Sequence, residues 1–129
     1  RFVLSKEWVD GVGNRQTYGI FFRTNPGAAF ERIVDGQGLA ATAPPPATGS
    51  FHHVAAVYDG ARLALYVDGV VRAEADDARA ALAEVAPLVI GAQTTDVFGG
   101  FRGVIDEVAI YERALPAIRV AAHYEAGRQ

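Results

Sequence analysis

The chain has 129 residues, enough for one domain with a sizeable core and too few for two independently stable ones. Hydrophobic residues make up 50% and charged residues 21%, which excludes a disordered chain; the net charge of −3 leaves no footprint for nucleic acid and no basic patch for anionic lipid. No apolar run is long enough to span a bilayer, so membrane insertion is not expected, and the absence of cysteine removes disulfides and thiolate chemistry without fixing the compartment. The chain has no methionine and opens Arg1-Phe2-Val3, which reads as a piece of a longer protein.

In chain order, residues 2–4 read as a strand stub and residues 7–16, with Asp10-Gly11 and Gly13-Asn14, as a loop. Residues 18–22 are strand-like and stop at Asn25-Pro26-Gly27; residues 29–34 form the next strand candidate. A long connection follows over 36–49, with room for a short edge strand near Leu39 ahead of Pro44-Pro45-Pro46. Residues 51–58 are apolar on both faces and predict a central strand. Asp59-Gly60 and Asp68-Gly69 then set off strands over 62–67 and 70–75, an antiparallel meander, because Gly accepts positive φ and Asp tolerates it. Residues 76–86 read as a loop or short turn, 88–90 as a strand, 93–100 as a loop and 101–111 as a long strand. A helix is predicted over 115–126, with Pro116 at its first position and Gly127 beyond its last turn; Leu115, Ile118 and Ala122 share one face, and Arg119 and His123 the solvent side. The sum is an all-β antiparallel sandwich or jelly roll with a short C-terminal helix.

No catalytic constellation emerges. Gly36-Gln37-Gly38 matches a dinucleotide fingerprint by letter, but prolines follow where the phosphate-binding helix is required. His52 and His53 point to opposite faces of a strand and cannot chelate one ion. Ser5 and Ser50 are the only serines, and neither sits in a nucleophile elbow. A glycosidase needs two carboxylates on one groove, whereas Asp106 and Glu107 face opposite ways. Asp106 shares a strand face with Val104, Val108 and Ile110, and a carboxylate on a core-side face needs a partner: backbone N–H groups or a structural cation.

The blocks Phe51-His52-His53-Val54-Ala55-Ala56-Val57-Tyr58-Asp59-Gly60, Leu65-Tyr66-Val67-Asp68-Gly69, Leu88-Val89-Ile90-Gly91, Phe101-Arg102-Gly103-Val104-Ile105-Asp106-Glu107-Val108-Ala109-Ile110-Tyr111 and Arg113-Ala114-Leu115 with the closing helix resemble, in this order, a laminin-G-like domain of the concanavalin A-like jelly-roll superfamily. Phe51 stands where the family usually has tryptophan, and Pro116 where it has serine. The resemblance implies one domain over residues 1–129, corresponding to the C-terminal two thirds of a complete domain whose first strands are lacking. It implies a non-catalytic binding or adhesion module for glycans or protein partners in a larger extracellular or cell-surface protein, beside other domains of the same chain. A purely structural accessory domain and a degenerate glycoside hydrolase are the alternatives. No cofactor is required. The likeness of residues 88–103 to the calcium loop of related pentraxins makes Asp96, beside Gln93 and with Asn14 as partner from the first half, a candidate ligand of a structural Ca²⁺; Asp106, from its core-side strand position, is the further candidate metal ligand. Trp8, Tyr18 and Gln93 are the candidate ligand-binding residues.

Overall fold

A computed structural model describes residues 1–10, 13–25, 27–80, 85–95 and 98–128, with the side chains of 7–16 outside the description. Among the described residues, eight strands form two antiparallel sheets. β1 (Phe2–Asp10), β2 (Gly13–Phe22), β3 (Ala28–Val34), β4 (Gln37–Ala43) and β8 (Leu88–Ile90) make a five-stranded sheet in the order β4-β3-β2-β1-β8. β5 (Val54–Tyr58), β6 (Arg62–Val67) and β7 (Val70–Asp76) make a three-stranded meander, and α1 (Ala117–Gly127) closes the chain. The all-β sandwich with one short C-terminal helix is therefore as the sequence predicts.

The core lies between the sheets. Alternation points Ala28 and Phe30 of β3, Ala41 and Ala43 of β4, and Leu63 and Leu65 of β6 at one another. Burying each leucine contributes about 1.5–3 kcal/mol. The outer face of the meander is covered in part by α1, where Val120 packs against Ala64 and Tyr66 and Leu115 against the same cluster. The helix thus turns Val120 inward, while Ile118, expected on the packed face, is 77% exposed. Gly69 explains the choice. It sits at φ +76, and an added Cβ would lie 3.0 Å from Tyr124, so its bare backbone lets α1 approach the β6–β7 turn.

Four further expectations are corrected. Of the residues 7–16 read as a loop, 7–10 and 13–16 are strand and 11–12 lie outside the described residues; β1 and β2 pair from Phe2↔Phe21 to Asp10↔Gly13, and cross-strand pairing overrides the turn-rich composition. Residues 37–43 are a full strand, folded back on β3 by Asp35 and Gly36, both at positive φ (51° and 75°), the signature of a tight primed turn. Residues 101–111 join no ladder. Among the described residues no strand pairs with their backbone, and Glu107 at φ +50 breaks the extended run. Likewise β5, predicted central, pairs only with β6 and lies at a sheet edge.

Candidate binding site

The outer face of the meander carries a groove of about 270 Å³ beside the start of α1. The register Val57↔Ala64↔Glu74 sets three residues side by side across the meander, Val57 and Ala64 forming the floor and Glu74 the rim. Arg62 and Tyr66 flank Ala64 on β6, two residues either way and so on the same face. Ala114, Leu115, Pro116 and Ala117 form the wall, and Asp59 the end. Small residues at the floor leave the space, and the rim is charged. Arg62 Nε donates to Asp76 Oδ1 at 3.0 Å and its guanidinium lies 3.7 Å from Glu74. Asp76 raises the Arg62 pKa by accepting this hydrogen bond, so the cation is fixed. The Asp59 carboxylate accepts the N–H groups of Ala61 and Arg62, both at 2.8 Å, and these donors lower its pKa. The groove therefore presents a permanent cation and two carboxylates, all exposed to solvent, beside the buried aromatic side chain of Tyr66.

Two other polar clusters were not foreseen. At one end of the sandwich the buried Asp77 carboxylate meets Arg32 at 2.8 Å and Arg79 through two bonds of 2.7 and 2.9 Å. The Arg32 guanidinium lies 4.0 Å from the centre of the Tyr58 ring, whose hydroxyl donates to the carbonyls of Asp77 and Arg79. At the other end, His52 Nδ1 lies 2.8 Å from Asp68 Oδ2 and Nε2 lies 3.1 Å from Ser50 Oγ. The first cluster had a signal in the sequence: Arg32 follows Ala28 and Phe30 on the inner stripe of β3, where an arginine requires a counter-charge. The second had only its residue types.

The residues singled out from the sequence are dispersed. Tyr18 is half-buried on the inner face of β2, packed against the core cluster, and burial raises its pKa. Gln93 is half-buried, its backbone N–H donating to the Phe98 carbonyl at 2.8 Å. Trp8 and Asn14 lie on β1 and β2 with side chains outside the described residues, and Asp96 is also outside them. Asp106 is exposed rather than core-facing, because residues 101–111 join no sheet; its Oδ1 accepts the Glu107 N–H at 2.9 Å. Among the described residues no group of three His, Cys, Asp or Glu side chains is placed to hold a metal ion.

Comparison with known proteins agrees with this fold. The Laminin_G_3 family profile, described as the concanavalin A-like lectin/glucanases superfamily, matches residues 3–121. The chain belongs to this family. No curated protein sequence matches it. Among solved structures, the laminin-G-like domain is similar to residues 221–444 of an S-layer domain-containing protein from Clostridium thermocellum ATCC 27405, with a TM-score of 0.50 and 18% identity. The match covers 92% of this chain and 60% of that one, a likeness of fold. Among the described residues no helix is long and apolar enough to cross a membrane.

Proposed function

We propose that this laminin-G-like domain is a recognition module of a larger secreted or surface protein, and that it takes a glycan in the groove beside α1. The observation that carries this reading is the rim itself: Asp59 and Glu74 supply acceptors and Arg62 supplies donors around a floor of small side chains beside Tyr66. Sugar hydroxyls are recognised by such convergent polar groups set next to apolar surface. Asp106 and Glu107 are exposed on a segment outside both sheets, which supports recognition rather than glycoside hydrolysis.

A glycan array probed with the purified protein, followed by calorimetric titration of the strongest binder, tests this. Arg62→Ala and Glu74→Ala are each expected to weaken binding about tenfold, the equivalent of one charge-assisted hydrogen bond. A blank array, or titrations unchanged by both substitutions, overturns it. A polypeptide ligand is the second reading, favoured by the exposed apolar side chains of Val104, Val108, Ile110 and Tyr111. Under it, cross-linking in the intact parent protein finds another segment along residues 104–111.

A further inference from the structure

Ser50, His52 and Asp68 form a hydrogen-bonded relay whose polarity is that of a nucleophile, its base and the group that orients the base. Asp68 Oδ2 accepts from His52 Nδ1 at 2.8 Å. That bond places the proton of the neutral imidazole on Nδ1 and leaves the Nε2 lone pair facing Ser50 Oγ, 3.1 Å away. Asp68 is itself held: its Oδ1 accepts the His53 backbone N–H at 3.1 Å, and its own N–H donates to the His53 carbonyl at 2.8 Å. The carboxylate is thus anchored by backbone on the turn it occupies, with side-chain exposures of 20% for His52 and 27% for Asp68.

The serine is open to a reactant. Ser50 is exposed, and beside it Gly49 sits at φ +96 with no heavy atom within 4 Å of where a Cβ would be. On its other side the Phe51 ring is 73% exposed and offers an apolar surface to an acyl substituent. The cluster stands at the β6–β7 turn end of the meander and shares no residue with the glycan groove.

We propose that Ser50 is a nucleophile activated by His52, able to accept an acyl group from an activated ester. In the forward step the Ser50 hydroxyl oxygen bonds to the carbonyl carbon as its proton passes to His52 Nε2. The tetrahedral intermediate collapses, the bond to the leaving alcohol's oxygen breaks, and that oxygen takes the proton from Nε2. Water then repeats the sequence: His52 accepts its proton, its oxygen bonds to the acyl carbon, and Ser50 leaves with the proton returned. Asp68 is a positioning residue, fixing the tautomer and stabilising the transient imidazolium. Because Ser50 is exposed, the intermediate's oxyanion faces water, which confines the chemistry to acyl donors with good leaving groups.

The chain suits a direct test, since Ser5, the one other serine, is fully buried. The protein is treated with p-nitrophenyl acetate, and the acetyl group is located by peptide mass spectrometry over time. Acetylation at Ser50 is expected, with none at Ser5. His52→Gln is expected to slow it about 100-fold, the usual contribution of a general base. Asp68→Asn, which tolerates the left-handed backbone at φ +55, is expected to slow it at least tenfold while the melting temperature holds near that of the parent. No label on Ser50, or labelling at the parent rate in a folded His52→Gln protein, overturns the proposal. So does an Asp68→Asn rate that falls only in step with lost stability.

Discussion

Asp77 shows how much one buried carboxylate organises. Two guanidiniums and the Arg79 backbone N–H converge on it, and its own N–H donates to the Ala61 carbonyl. Hydrogen bonds from Arg79 lead the effect that lowers its pKa from 3.8 to about 2, with the Arg32 and Arg79 charges adding to it and desolvation opposing. A carboxyl depressed in the folded state stabilises the fold fully above its unfolded pKa and loses that contribution as pH falls through the folded value. The window therefore runs from 3.8 down to about 2 and holds on the order of 2 kcal/mol. Denaturant unfolding at pH about 5 and about 2 measures it. Asp77→Asn is expected to begin about 3 kcal/mol less stable, because it leaves Arg32 buried without its charge, and then to lose less over the same window. Parallel pH profiles for the two proteins would show that other groups govern acid unfolding. His53 behaves alike at milder pH. Burial lowers its pKa below 6.5, assisted by His123, so its contribution fades as pH drops through and below that value.

At the scale of the element, the tight turns decide what pairs. Asp35-Gly36 and Asp68-Gly69 both place two consecutive residues at positive φ, and each sets the residues flanking the turn opposite each other, Val34↔Gln37 and Val67↔Val70, with β6 and β7 shifting register between Leu65 and Tyr66. Only the second is legible in the sequence; Gly36 opens residues 36–49, which read as one long connection with room only for a short edge strand near Leu39. Gly60 and Gly69 separate two effects of glycine. Both sit at positive φ, so alanine costs about 1–2 kcal/mol at either. Gly60 faces open space, whereas a Cβ on Gly69 meets Tyr124 at 3.0 Å and Ala121 at 3.3 Å. Gly69→Ala is thus expected to cost about 1 kcal/mol more than Gly60→Ala, through displacement of α1. Chemical denaturation of the two variants reads the difference, and equal losses would mean that the helix shifts without penalty.

Across the whole molecule, apolar sequence and available partners do not match everywhere. β5 is apolar on both faces yet lies at an edge, every residue half-buried, and residues 101–111 carry Val104, Val108 and Ile110 into solvent. The chain spans 60% of the solved S-layer protein fragment it resembles. Hydrogen exchange distinguishes the regions. Amides of β6, paired on both sides and buried, are expected to exchange only on global unfolding. Those of 102–110, outside any ladder, are expected to exchange at nearly the rate of a free peptide. Protection of 102–110 equal to that of β6 would show that a strand is already added there, as the polypeptide reading of function requires.

The sequence by itself determined the local and periodic features: the meander of β5, β6 and β7, the Asp68-Gly69 turn, the C-terminal helix and membership of a jelly-roll family, all written in residues close along the chain. Tertiary structure decided whatever depends on distant partners. Pairing with β2 made residues 7–10 a strand, and the lack of a partner left 101–111 without one. Packing against the β6–β7 turn chose Val120 over Ile118. The joining of Arg32 to Asp77, of Ser50 and His52 to Asp68, and of Arg62 and Glu74 to the start of α1 was equally non-local. Turn chemistry and alternation act over a few residues, but a carboxylate's pairing or a groove's shape is set by which strands lie side by side, and no short-range pattern records that.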